Sequence, residues 1–339
     1  MEAHHLCIVA VLIAAALLLR EADAYDVKKF AVFMPHINPF REELYLCTPV
    51  KIVQDKSFYI VGFEPNATMN RVHHMILFGC SEPGTHEPYW DCGEMAGPTH
   101  SSNLRTGNPC RQGSHVLYAW ARNAEALSLP EDVGFQIGAN TEIAYLVLQL
   151  HYAHKFPEDV IDSSGVNLIY TETPQPKLAG VLLLASGGTI PAHRVTYMES
   201  DCTIEEDKII YPFAYRTHTH TLGKVVSGYR VRQDENGEQW SLIGKRDPLT
   251  PQMFYPTNTT TPILKGDIMV ARCTMESDRD TDTRVGPTNK DEMCNFYIMY
   301  YVDEGKPLNK RFCWREGPPY TSWASNHNFL NVPEDASSL

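Results

Sequence analysis

The chain has 339 residues and a formal net charge of −12, with 41 Asp and Glu against 29 Lys and Arg, and no basic block occurs in it. Nucleic acid is thereby disfavoured as a partner, because phosphate binding depends on clustered cations. The 23 prolines and 21 glycines punctuate short runs rich in Val, Ile, Tyr and Thr without helical periodicity. That pattern predicts an all-β protein, and the length suggests about two domains.

The N-terminal stretch from Leu6 to Leu19 is apolar but short for a bilayer span, and Ala22-Asp23-Ala24 is a small-x-small cleavage site. Residues 1–24 are expected to be a secretory signal peptide, with His4 and His5 where the n-region ordinarily carries Lys or Arg. Its removal takes away Cys7 and leaves Cys47, Cys80, Cys92, Cys110, Cys202, Cys273, Cys294 and Cys313. An even set in a secreted chain reads as disulfides, and the lack of Cys-x-x-Cys weighs against zinc-ribbon and thioredoxin-like readings. Asn66-Ala67-Thr68 and Asn258-Thr259-Thr260 are glycosylation sequons that fit the same compartment. No second apolar segment is long enough to anchor the mature chain, so a soluble protein of the secretory lumen or the extracellular space is expected, with no membrane anchor.

From Tyr25 to Phe40 the Asn/His-Pro turns suggest an extended arm. Phe58 to Phe63 is a predicted strand. Arg71 to Cys80 is another, apolar after a start that carries His73 and His74. Neighbours on a regular strand face opposite ways, so both histidines reach one metal only if the backbone twists or bulges there; His74 as a core histidine is the alternative. The loop-rich segment from Ser81 to Gln112 has few apolar residues and needs its cysteines to hold it. Tyr145 to Tyr152 is a strand on which period two puts Gln149 and His151 on one face. The break at Thr171 to Lys177 is the expected domain boundary, giving domains of 25–176 and 177–339, two antiparallel β-sandwiches of jelly-roll type in tandem.

In the second half, Phe213 to Lys224 reads as a strand, with Arg216, His218 and His220 on one face at Cα spacings of roughly 6.8 Å. Two imidazoles at that spacing can close on one metal with a guanidinium just beyond; two exposed strand histidines are the alternative. A turn is expected at Asp234-Glu235-Asn236-Gly237. The run from Asp291 to Tyr301 puts Met293, Asn295 and Tyr297 on one face, and Met269, Met275 and Met299 are rival thioethers that spacing does not separate. A thioether suits Cu(I) and poorly suits zinc or calcium. Three imidazoles in one half and two imidazoles plus a thioether in the other would make two copper sites of different character. An all-nitrogen site suits shuttling between Cu(I) and Cu(II), and a His₂Met site favours Cu(I) with open positions for O₂.

HHM in a strand ending FGC, LQLHY, FAYRTHTHTLGK, VVSGYRVR and DEMCNFYIMYY, in that order, resemble the ascorbate-dependent type II copper monooxygenases, from about Cys47 to Cys313. The resemblance implies two copper ions per chain, ascorbate as reductant and O₂ as co-substrate. It implies His73, His74 and His151 as ligands of an electron-transfer copper, and His218, His220 and Met293 as ligands of a catalytic one. Within the family the motifs are most similar to the branch that hydroxylates the Cα of a C-terminal glycine in peptides, the first step of C-terminal amidation of neuropeptides and hormones in secretory granules. There Arg216, assisted by Asn295 and Tyr297, would hold the peptide carboxylate, and Gln149 joins the expected substrate-facing set. The implied disulfides are Cys47 with Cys92, Cys80 with Cys110, Cys202 with Cys313, and Cys273 with Cys294. Vertebrate relatives have a further pair between the N-terminal arm and a segment near Ser163 and Ser164; both cysteines are absent here, so a looser arm is expected. Many relatives continue into a lyase domain and a transmembrane tail. Too few residues follow Cys313 for another fold, so a separate lyase would take the product.

Dopamine-type hydroxylases of the same family are the nearest rival, but they carry an additional N-terminal domain and lack arginine at the Arg216 position. A secreted copper-binding protein with redox-inert sites is the rival from another class. A zinc hydrolase is weaker, since it wants a carboxylate base and Met293 makes a poor zinc ligand.

Overall fold

A computed structural model describes residues 26–93, 104–286, 288, 290–327 and 329–339, so the expected signal peptide lies outside the described residues. The first half contributes β1 (Lys28–Phe33), β2 (Leu44–Lys51), β3 (Ser57–Asn66), β4 (His74–Cys80), β5 (His115–Ala121), β6 (Val133–Gly138), β7 (Tyr145–Tyr152) and β8 (Gly165–Thr171). The second contributes β9 (Lys177–Ser186), β10 (Val195–Thr203), β11 (Tyr211–His218), β12 (Gly223–Asp234), β13 (Gly237–Arg246), β14 (Ile268–Glu276), β15 (Asn295–Val302) and β16 (Phe312–Arg315), with one short helix, α1 (Trp323–Asn326). The chain is thus nearly all β, as its punctuated β-branched and aromatic runs predict.

In the first half, a sheet in the order β2-β7-β4-β5, edged by Trp90–Asp91, faces the strands β1-β8-β3-β6. In the second, β10-β14-β12-β13 faces β9-β15-β11. Each pair of sheets encloses its own apolar core. Most pairings are antiparallel. Among the strands named here the exceptions are β16 against β9 and a two-residue parallel pairing of β6 with β9, Val133 to Lys177 and Gly134 to Leu178, which runs one sheet through both halves.

That continuity decides where a site can form. β9, β15 and β11 are covered on both faces, which is why β9 and β15 read as nearly unbroken apolar runs. Alternation then sorts their side chains: Leu182, Leu184, Phe296, Ile298 and Tyr300 enter the second core, while Val181, Leu183, Ala185, Tyr297 and Met299 pack with the first. The boundary between the halves is therefore lined by one face of this central sheet.

The N-terminal arm differs from the expectation. Lys28–Phe33 pairs with β8 over six residues, and the Met34 N–H bonds the Ser164 carbonyl at 2.9 Å. Backbone pairing ties the arm down beside the position where a disulfide would have done so. The four disulfides are Cys47–Cys92, Cys80–Cys110, Cys202–Cys313 and Cys273–Cys294. The turn at Asp234 to Gly237 closes the β12–β13 hairpin, with Gly237 at φ 95°. Asn66 and Asn258 are both exposed.

Candidate metal centres

β7 lies between β2 and β4, with His151 opposite Tyr45 on one side and His74 on the other. The problem of adjacent histidines is solved by the strand boundary. β4 begins at His74, and His73 stands just before it, its N–H bonded to the His151 carbonyl at 2.9 Å. Freed from alternation, the His73 ring turns to the same side. The ring centroids lie 5.0 Å (His73–His151), 4.8 Å (His74–His151) and 5.7 Å (His73–His74) apart, and one nitrogen from each lies within 4.8 Å of the others.

The donor atoms fit a metal. Nδ1 of His151 faces Nδ1 of His74 at 3.3 Å, and Nδ1 of His73 is buried with no hydrogen-bond partner. Burial pushes His73 down to about 4, holds His74 well below its ordinary value, and lowers His151. The imidazoles are thereby kept neutral, with lone pairs available at neutral pH. The Nε2 of His151 is turned outward to Glu43, at 2.8 Å.

In the second half, β11 and β15 place Arg216 opposite Tyr297 and His218 opposite Asn295. The strand assignments need correction at both ends. β11 stops at His218, so His220 lies past it, and β15 starts at Asn295, so Met293 precedes it. Glu292 brings these off-strand residues in. Its carboxylate accepts the backbone N–H groups of His220, Thr221 (3.0 Å), Leu222 (2.7 Å) and Met293 (2.8 Å), clamping the turn after His218 onto the segment before β15. The His218 and His220 ring centroids are 5.5 Å apart. Met293 Sδ lies 3.8 Å from Asn295 Nδ2.

Gln252 is the second organiser. Its Oε1 accepts from His218 Nδ1 at 2.7 Å and from Arg216 Nη2 at 3.2 Å, and its carbonyl accepts from Arg216 Nε at 3.0 Å. The amide cannot donate through oxygen, so His218 carries its proton on Nδ1 and presents Nε2 as the donor atom. His220 Nδ1 is likewise occupied, by the Asp291 carbonyl at 3.2 Å. The loop that carries Gln252 is fixed against the first half by a backbone pairing with Ala121 and by Arg122, which donates to the Leu249 carbonyl at 3.0 Å.

Across the boundary the His74 and His218 ring centroids are 6.2 Å apart. A cavity of about 20 Å³, roughly one water in size, lies between them, lined by His74, Ile76, Arg216, His218, Met293, Asn295 and Tyr297. A cavity of about 590 Å³ shares Met293 and Asn295 with it and opens along Phe78, Leu183, Phe312 and Trp314.

Arg216 is 3% exposed, with its guanidinium 5.2 Å from the Tyr297 ring centroid and hydrogen-bonded to Gln252. Burial lowers its pKa, and among the described residues it has no carboxylate partner. Gln149 stands on β7 two residues before His151, opposite Ile76, and its Nε2 donates to the Gly93 carbonyl at 2.8 Å. Sequence reasoning missed Glu292, although an acid beside a buried strand was a visible signal, and it missed Gln252, whose proline-rich surroundings carry none.

Residues 30–158 match the family model "Copper type II ascorbate-dependent monooxygenase, N-terminal domain", and residues 177–326 match its C-terminal domain. The chain is similar to peptidylglycine alpha-amidating monooxygenase of Rattus norvegicus (40% identical over 322 residues, 92% of this chain and 30% of that one) and of Mus musculus (39% over 312 residues, 90% and 29%). It is more distantly similar to dopamine beta-hydroxylase of Rattus norvegicus, at 28% over 299 residues, 81% of this chain and 46% of that one. This chain thus spans about a third of the length of the amidating relatives. Matched through both domains, it belongs to the copper type II ascorbate-dependent monooxygenases.

Proposed function

We propose that this chain hydroxylates the Cα of a C-terminal glycine in peptides, with O₂ as co-substrate and ascorbate as the source of two electrons. In this reading 25–176 is the electron-transfer domain, with copper held by His73, His74 and His151. Residues 177–339 form the catalytic domain, with copper held by His218, His220 and Met293. Copper bound at these sites would supply one-electron redox chemistry and oxygen activation.

The observation that carries the reading is the buried Arg216, which has no carboxylate partner among the described residues. A buried guanidinium with only neutral partners is costly, and an incoming carboxylate offsets that cost with charge-assisted, fork-like hydrogen bonds. Arg216 lines the same small cavity as His218 and Met293, so a carboxylate drawn to its guanidinium would bring the adjacent Cα close to the metal ligands. Tyr297 packs against the guanidinium from the paired strand, and Asn295 lines the same cavity opposite His218. Gln252 holds Arg216 and His218 through one amide oxygen, so the anion-binding group and the ligand keep a set relation. The apolar walls of the larger cavity suit the residues preceding the glycine.

A catecholamine substrate, cationic at neutral pH, would be repelled by Arg216, which favours the peptide over the dopamine-type reading. The copper-loaded protein is tested with a glycine-extended peptide, ascorbate and O₂. The expected product is heavier by one oxygen on the terminal glycine, with the amidated peptide left unmodified. Bound copper with neither ascorbate consumption nor an oxygenated peptide would point to a redox-inert copper-binding protein instead. The reading places the protein in the secretory pathway, with its hydroxyglycine product passed to a lyase activity.

A further inference from the structure

We propose that Glu43 is a positioning residue for the first metal centre: its carboxylate takes the Nε2–H of His151 and thereby commits Nδ1 of that ring to the metal. The inference rests on the reading of His73, His74 and His151 as a copper triad. Three observations converge on it. A carboxylate only accepts, so at 2.8 Å from Glu43 Oε2 the Nε2 of a neutral His151 must carry the proton. The lone pair then sits on Nδ1, the atom that faces His74 Nδ1 at 3.3 Å and the side to which the buried, unpartnered Nδ1 of His73 belongs. Finally, Glu43 has φ 49°, a left-handed conformation that costs a residue with a Cβ free energy and persists where surrounding structure demands it.

The backbone turn sits immediately before β2, two residues from Tyr45, whose ring stacks on His151 at 4.0 Å and 5°. Tyr45 thus covers the face of the imidazole while Glu43 takes its outer edge. Rotation about the ring is blocked from both directions. A negative group on the far edge of a ligand imidazole also raises its basicity, and it stabilises the more highly charged state of a bound metal. Glu43 is therefore expected to favour Cu(II) at this site and to hold its reduction potential down.

The test reads the first site alone, in the full chain carrying His218→Ala and His220→Ala, by chelator competition for Cu(II) and by reductive titration. Glu43→Ala is expected to weaken Cu(II) binding about ten- to a hundredfold, the usual effect of removing such a partner. If Cu(I) binding is unchanged, each tenfold loss raises the potential by about 59 mV. Glu43→Gln, which keeps an acceptor oxygen but loses the charge, should retain more of the affinity and still raise the potential; it also serves if the alanine variant does not fold. Unchanged Cu(II) affinity and potential in the folded variants would overturn the role of Glu43. His151→Ala in the same background tests the triad separately: loss of the remaining copper upholds it, and retention overturns the triad itself.

Discussion

Arg216 shows what a single residue contributes when its surroundings withhold a partner. Gln252 and Tyr297 satisfy its geometry without neutralising its charge, so its binding energy stays available to a ligand. A charge-assisted contact of this kind is worth roughly 1.5–3 kcal/mol. Arg216→Gln should therefore raise KM for glycine-extended peptides about ten- to a hundredfold while copper content, measured by metal analysis, stays the same. Glu292 works in the opposite sense, fully buried and saturated with four backbone donors. In Glu292→Gln the new NH₂ group meets N–H donors that it cannot accept, so the turn that carries His220 should loosen. We expect copper affinity at the second site to fall about ten- to a hundredfold, with binding at the first site unchanged. Equal loss at both sites in competition titrations would show that Glu292 supports the fold as a whole.

At the scale of elements, the central strands hold the site because they are wedged from behind. Tyr215 and Phe296, the neighbours of Arg216 and Asn295 on the opposite face, stack at 5.7 Å and 14°. They rest on Gly244 and Gly228, which pair across β12 and β13. A Cβ on Gly228 would stand 2.3 Å from Phe296 Cε1, and one on Gly244 would stand 2.3 Å from Tyr215 Cε1. Neither ring can yield without moving the strand whose other face carries site residues. Gly228→Ala and Gly244→Ala should each destabilise the protein by about 1–3 kcal/mol, visible as a lower denaturation midpoint. Unaltered midpoints would mean that the sheets separate more easily than their packing implies.

For the whole molecule, the two halves meet at histidines, and burial of those histidines couples stability to pH. His73 and His115 are both pushed down to about 4, chiefly by desolvation, from an ordinary value of 6.5. The unfolded chain therefore takes up protons before the folded one does. The stability associated with these neutral rings is fully present above about 6.5 and is lost as pH falls toward about 4. The melting temperature of the copper-free protein should fall across that window, and copper should blunt the part of the fall that belongs to His73, whose neutral ring it would bind. His115→Gln should remove part of the slope and leave copper content unchanged. A flat profile in the copper-free protein would contradict the burial argument.

Local pattern carried much of this protein. Period two is a property of the backbone alone, so the shared faces of Arg216 with His218 and of Asn295 with Tyr297 were legible in the chain. The punctuation by proline and glycine was likewise enough for the all-β class. It failed where strands end. Treating His73, His220 and Met293 as strand residues overlooked that the chain leaves the sheet at each of them. What places the off-strand candidates His220 and Met293 is long-range hydrogen bonding from Glu292 to 220–222 and to Met293, while Gln252 holds His218 and Arg216. Such bonds depend on which loops meet after the sheets pack, and residues so far apart in the chain leave no periodic trace of it. The same holds for the 6.2 Å approach of His74 to His218: a sheet shared by both halves creates it, and only the tertiary structure decides that the sheet is shared.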